Sequence, residues 1–183
     1  MGKTNKLLLP WKKSSIIKNS VETCIQSDTH EVIVVLGHQS AEIRKELNQL
    51  EVCFVENPSF ESGMLSSIKA AIPKVSSKSA GWMVFLGDQP KIPQNLVNHL
   101  IEQFQKHHEA EKDLIVLPVC VGIRRNPVIF SRSFNQRMIA HQGEAGKAMI
   151  DAHQDSVLEV EVEDVTLFED IDTEEDYDLL KPN

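Results

Sequence analysis

Short apolar runs alternate with amphipathic stretches along the whole chain, and this alternation restricts the fold more than any other feature. The runs Glu31 to Leu36, Cys53 to Val55, Trp82 to Leu86, Leu114 to Val119, Val128 to Phe130 and Val157 to Val162 have the length and residue types of strands. Between them, Ser14 to Gln26 places Ile16, Ile17, Val21, Cys24 and Ile25 on one helical face, and Ala41 to Leu50 does so for Ile43, Leu47 and Leu50. Pro93 to His108 and Gly146 to Ala152 complete the set of helices. Strands that are apolar at nearly every position have both faces covered, which predicts a doubly wound α/β sandwich on a mostly parallel sheet. There is no internal repeat, and Ser76 to Ser79 is only a surface loop, so residues 1–183 are expected to form a single domain.

The 183 residues are 41% hydrophobic, enough for a real core. A net charge of −8, with the 19 basic residues scattered, speaks against a nucleic acid or anionic membrane partner. A nucleotide stays open, because a few placed cations and a bound Mg²⁺ hold phosphates within an acidic protein. Cys24, Cys53 and Cys120 form no CxxC pair and read as reduced core residues. No apolar run approaches the roughly 18 residues of a membrane span, and no signal-peptide core follows Met1 to Lys6. The expectation is a soluble, cytoplasmic chain.

In an open parallel sheet, ligands bind beyond the carboxyl ends of the strands, so polar residues just after strands carry the interest. Gly87-Asp88-Gln89-Pro90 follows one run: the glycine lets the backbone turn, Pro90 ends pairing, and Asp88 stands either as a Mg²⁺ ligand or as an ordinary turn aspartate. Asp170 and Asp172 lie at alternate positions and project the same way from an extended backbone, which suits a cation site. Thr173 and Asp176 have capping-box spacing, and such a cap would fix the turn that aims Asp172. Lys6, anchored by Leu7 to Leu9, is placed to neutralise phosphates or else is an idle terminal lysine. Asn57-Pro58 leads to Gly63-Met64-Leu65-Ser66-Ser67, a strand-to-helix loop whose serines sit near a helix start, for capping or for an anion. Arg124 and Arg125 follow a strand, within reach of a phosphate-bearing substrate. Gly143 to Lys147 fails the P-loop pattern, and GxGxxG, GxSxG and HExxH are all missing.

Taken in order, Met-Gly-x-x-x-Lys-Leu-Leu, Asn-Pro with Gly-Met-x-Ser-Ser, Gly-Asp-Gln-Pro, Asn-Pro-Val-Ile-Phe, Gly-Glu-x-Gly and Asp-Ile-Asp-Thr-x-x-Asp-Tyr resemble the MobA-like nucleotidyltransferases. Within that family the resemblance is closest to the cytidylyl-transferring branch that serves the molybdenum cofactor. It implies a Rossmann-like domain of the nucleotide-diphospho-sugar transferase type that moves a nucleoside monophosphate from an NTP to a phosphorylated acceptor and releases pyrophosphate. By resemblance, Lys6 contacts the triphosphate, Asp88 holds Mg²⁺ with Asp170 or Asp172, and Asn57, Gly63, Met64, Ser67, Gly87 and Gln89 belong to the nucleotide side. Asn126, Pro127 and the loop from Gly143 to Gly146 face a molybdopterin-type acceptor. Gln89 favours CTP, and a molybdoenzyme or maturation protein is the implied partner. By resemblance the domain over residues 1–183 is expected to be incomplete at its amino terminus, since it starts at Met1-Gly2 without the apolar strand and glycine-rich phosphate loop that relatives carry first; either the start is truncated or another segment or chain fills the gap, and otherwise two strands lose ladder partners. Arg125 replaces a glycine and Ala148 an arginine of many relatives.

Overall fold

The computed structural model describes residues 5–143 and 146–181. In chain order the elements are β1 (Pro10–Trp11), β2 (Ser14–Ser15), α1 (Ile16–Gln26), β3 (Ile33–Leu36), α2 (Ser40–Glu46), β4 (Cys53–Glu56), α3 (Met64–Ala71) and β5 (Gly81–Val84). They continue as α4 (Gln94–His107), β6 (Ile115–Cys120), β7 (Ile123–Arg124), β8 (Val128–Ser131), α5 (Asn135–Ala140), α6 (Gly146–Ala152), β9 (Val157–Glu161) and α7 (Glu174–Leu180).

The expected α/β layering is present, but the sheet is mixed. β8 lies antiparallel between β5 and β6, β7 turns back antiparallel on β6, and β9 joins β6 in parallel. A five-stranded sheet results, in which β5, β6 and β9 point the same way. The antiparallel insertion follows from connection length: only a short loop and hairpin separate β6 from β8, too little for the crossover that a parallel neighbour requires. The alternation of β6 then serves two cores. Ile115, Leu117 and Val119 face Phe130, Phe134, Met138 and Met149, while Val116 and Cys120 face Leu96, Val97, Leu100 and Phe104 of α4.

β3 and β4 form a separate parallel pair in register from Ile33↔Cys53 to Leu36↔Glu56, joined by α2. Among the described residues no backbone hydrogen bond joins β3 to β5, so each has a ladder partner on one side only. Two helices hold the sheets side by side. α1 starts at Ser15, whose side chain accepts the Lys18 N–H, and buries Ile17 and Val21 against Val34 and Leu36 of β3. Its Asn19 and Ser20 reach the far end of β5. α3 packs on β3 while Leu65 and Ile68 enter the core that includes Trp82 and Val84.

Three expectations need correction. Cys53 is exposed, because β4 is an edge strand and this position faces outward; only Cys120 is buried, and all three thiols are free. The Trp82 to Leu86 run leaves the sheet after Val84. Gly87 is not there for a turn of unusual φ: its φ is not positive, and a Cβ would lie 2.7 Å from the end of the Ile17 side chain of α1, a contact that Ile17 can relieve by moving. Met1 to Thr4 of the basic amino-terminal turn, with Glu144 and Ala145 of the Gly143 to Gly146 loop, lie outside the described residues. No helix among the described residues is long and apolar enough to cross a membrane.

Candidate active site

The carboxyl rim of the five-stranded sheet is where Lys6, Asp88, Gln89, Asp170 and Asp172 meet. Beyond β5 the chain descends through Phe85 and Leu86 to Gly87, whose carbonyl accepts from Ser20 Oγ at 3.1 Å. Asn19 Nδ2 donates to the Pro90 carbonyl at 2.9 Å. Between these two clamps on α1 stands Asp88. Lys6, at the start of a 3-10 turn set by the Asn5 side chain, donates from Nζ to Asp88 Oδ2 at 2.8 Å and to Asp172 Oδ1 at 2.7 Å. One ammonium therefore bridges residues from the middle and the end of the chain.

The tail is laid along residues 88–91 like an extra edge. Lys91 pairs with Glu169 at 2.5 Å, Gln89 Nε2 donates to Asp170 Oδ1 at 2.7 Å, and the Ile171 N–H donates to the Asp88 carbonyl at 3.4 Å. Ile171 is fully buried with Trp11 and Ile16, which pins the segment. The expected capping box is present. Thr173 accepts the Asp176 N–H, and Asp176 Oδ2 accepts from both Thr173 N and Asp172 N, so the helix start also holds the backbone that aims Asp172.

Electrostatically, burial alone would lower the Lys6 pKa, but the hydrogen bonds to Asp172 and Asp88 and their charges outweigh it and raise the pKa. Burial raises the Asp170 carboxyl pKa. The Gln89 hydrogen bond opposes this, while the charges of Asp88 and Asp172 add to it. The donor set fits a divalent cation, since the Lys6 ammonium is a stand-in positive charge held by hard carboxylate oxygens of Asp88 and Asp172. Among the described residues no three acidic, His or Cys side chains form a complete metal cage, so phosphate oxygens and water would have to complete the shell. Asp170 faces Gln89 rather than Lys6, which makes Asp172 the better placed of the two tail aspartates.

A second group lies beyond β4. Asn57, only 4% exposed, donates from Nδ2 to Ser66 Oγ and Ser67 Oγ at 2.8 and 3.0 Å. The serines thus do not cap α3. Gly63 precedes that helix at φ +90° with no side-chain cap, and Met64 is largely exposed. Asn126 and Pro127, joined by a cis peptide bond, stand before β8. Gly143 has φ +99° and is exposed, and Gly146 opens α6. No hydrogen bond or ion pair among the described residues links the Asn57 group, Asn126 or Gly143 to the Asp88 group. An open depression of about 490 Å³ along α4, lined by Asp28, Asn95, Asn98 and His99, contains none of these residues.

Ser20 and Ile171 carry the geometry without an evident chemical motif. The signals were a small polar residue inside the apolar stripe of α1 and an apolar residue between two aspartates.

Comparison with known proteins bears on the family and the fold. Residues 1–157 match the MobA-like NTP transferase domain. The molybdenum cofactor cytidylyltransferase of Escherichia coli (strain K12) is 27% identical over 173 residues, covering 94% of this chain and 84% of the relative. Rv0371c from Mycobacterium tuberculosis H37Rv superposes with a TM-score of 0.83 at 21% identity, over 97% of this chain and 89% of that one. The same protein has also been solved in complex with manganese, with a TM-score of 0.81, 21% identity and coverage of 98% of this chain and 92% of that one. The 4-diphosphocytidyl-2C-methyl-D-erythritol synthase of Anaerococcus prevotii has a TM-score of 0.74 at 13% identity, over 93% and 86% of the two chains.

Proposed function

The chain belongs to the MobA-like NTP transferase family, and from that premise we propose that it transfers CMP from CTP to a molybdopterin-type phosphate, releasing pyrophosphate. The observation that carries this reading is the Lys6 ammonium bridging Asp88 and Asp172 beyond the carboxyl end of β5. Two carboxylates already organised around one positive charge are preorganised for a cation that travels with a nucleotide.

Asp88 and Asp172 would hold that cation, Mg²⁺ by preference, and when bound it would supply positive charge against the triphosphate. Lys6 then turns from the carboxylates to the phosphates, which is a change of partner within one side chain's reach. Thr173 and Asp176 keep Asp172 aimed through the capping box. The uncapped first turn of α3 at Gly63 and Met64 leaves N–H groups for the nucleotide, with Asn57 and Ser67 holding the turn in place. Asn126, Pro127 and the Gly143 to Gly146 loop belong to the acceptor side. In the reaction an acceptor phosphate oxygen bonds to the α-phosphorus. The bond to the β-phosphate bridge breaks, and its electron pair leaves with pyrophosphate. A dianionic acceptor phosphate has no proton to remove, so no general base is required.

A sugar or alditol phosphate is the competing acceptor, because Arg125 and Ala148 depart from the expected acceptor side. A nucleotide-binding chain without turnover is the other reading, favoured by the edges of β3 and β5 that have no ladder partner among the described residues.

Pyrophosphate release by the full chain decides among these, with each NTP, Mg²⁺ or Mn²⁺, and molybdopterin or an alditol phosphate. CTP with molybdopterin is the expected pair, and Asp88→Asn is expected to lower kcat at least about 10²-fold with little change in unfolding midpoint. Full activity in Asp88→Asn rejects the site. Nucleotide binding without release from any NTP and acceptor rejects the transferase in favour of the binding protein.

A further inference from the structure

The chain has five arginines, and four of them are engaged. Arg44 pairs with Glu56, Arg137 with Asp113, and Arg124 with Glu159 and Gln154, while Arg132 donates to the carbonyls of Ser76 and Ser79. Arg125 is different. Its backbone N–H is used, donating to the Pro118 carbonyl at 2.8 Å, but its guanidinium has no acceptor among the described residues. Its Nε is buried without a partner and the residue is half-buried. A permanently charged group with one N–H buried and unpaired loses hydration at that atom, so such a site gains by taking up an anion.

Topology puts this cation on the candidate active rim. Val84 of β5 is opposite Val128 of antiparallel β8. Arg125 lies three residues before Val128 and Gly87 three residues after Val84, so both leave the sheet at the same end. β6, β5 and β9 also end there, and Asp170 and Asp172 follow β9. Lys6 and Lys91 are paired with carboxylates there, and Lys6 is assigned to the triphosphate. Arg125 is thus a positive side chain without a partner among the described residues, displaced in sequence from the residues assigned to the triphosphate and next to Asn126 and Pro127.

We propose that Arg125 is the acceptor-recognising residue, gripping a phosphate monoester through its guanidinium fork. This assignment rests on the nucleotidyl-transfer reading above for the identity of the phosphate, which is the group whose oxygen attacks the α-phosphorus. A planar fork of N–H donors matches two phosphate oxygens and leaves the third free to attack. The Nε–H that has no partner is one of the two donors that such a bidentate grip uses.

Inorganic phosphate is the probe for the test. In the full-length protein, titration is expected to shift one arginine Nε–Hε NMR signal saturably. That signal is absent from Arg125→Gln, and phosphate binding to the variant weakens at least about tenfold, the effect of losing one charge-assisted contact. Arg125→Lys keeps the charge without the fork and is expected to fall between them. The phosphate affinity of Arg124→Gln, whose guanidinium is already spent on Glu159 and Gln154, stays at the wild-type value. Unchanged binding in folded Arg125→Gln overturns the proposal, as does binding lost in Arg124→Gln instead. If Arg125→Gln fails to fold, Arg125→Lys and the assigned wild-type signal decide. Where turnover is measurable, KM for the acceptor is expected to rise at least about tenfold in Arg125→Gln with KM for the NTP unchanged, and the reverse pattern overturns the assignment. Absence of turnover with every acceptor defeats the nucleotidyl-transfer reading alone, because the phosphate titration still reports on Arg125.

Discussion

β6 and β5 run in the same direction in one sheet and are similarly apolar, yet their surroundings differ. All six residues of β6 are buried, flanked by β8 and β9 along its edges and by helices on both faces. All four residues of β5 are only partly buried, and among the described residues no strand pairs with one of its edges. The candidate chemistry sits at the end of the less enclosed strand, where Gly87 and Asp88 are gripped by α1 and the tail rather than by sheet pairing. The difference teaches that this molecule separates stability, concentrated around β6, from the rim where Lys6, Asp88 and Asp172 meet.

Core truncation gives the largest effect that distinguishes the two strands. Leu117→Ala in β6 is expected to cost about 2–5 kcal/mol, because it opens a cavity that rigid neighbours on both sides cannot fill. Val84→Ala in β5 is expected to cost about 1 kcal/mol. Urea unfolding of both variants checks this, and equal losses would show that β5 is as fully packed as β6.

A methyl added at two glycines should sharpen the same contrast. In Gly81→Ala the new Cβ meets the Phe130 carbonyl at 2.5 Å and Phe104 Cζ at 2.7 Å, so sheet backbone must move, for about 1–3 kcal/mol. In Gly87→Ala it meets only the end of the Ile17 side chain, which can swing, and the expected cost is below about 1 kcal/mol. Thermal midpoints rank them, and a larger loss at Gly87 would mean that α1 is locked against the rim.

The smallest expected effects are in pH dependence, and they have opposite sign. Asp113, just before β6, has its pKa lowered by the hydrogen bond from Arg137, so it contributes stability above the ordinary carboxylate value that is lost as pH falls through its lower folded value. Asp170 at the rim has its pKa raised by burial, so the folded state holds its proton more tightly, and stability is lost as pH rises from the ordinary value through the raised one. Urea midpoints between acid and neutral pH should therefore show Asp113→Asn removing part of the acid-side loss and Asp170→Asn removing part of the loss on raising pH. The same sign in both variants would contradict this assignment.

Much of this was legible in the residue pattern. The six strand-like runs correspond to β3, β4, β5, β6, β8 and β9, and α1 and α4 fall within two residues of their expected bounds. The Thr173 to Asp176 cap was readable because it depends on residues three apart. The β6–β7–β8 reversal was not, because an apolar run of a few residues is the same in a parallel or an antiparallel neighbour. Nor were the exposure of Cys53 and the surroundings of Gly87, which depend on what packs there: open edge in one case, Ile17 in the other.

For the site, the sequence by itself determined which groups are available: the carboxylates of Asp88, Asp170 and Asp172, the ammonium of Lys6 and the guanidinium of Arg125, each after a strand or near a chain end. Short-range chemistry is enough for that, since turns, caps and strand ends are set by neighbours a few residues away. Only the tertiary structure decided which of them share a charge. Lys6 reaches Asp88 and Asp172 across 82 and 166 positions of chain, Asp170 is drawn instead to Gln89, and the Arg125 side chain has no partner among the described residues. Those pairings depend on the layering of β5, α1 and the tail, and Coulomb interactions and hydrogen bonds act through distance in space, not separation in sequence.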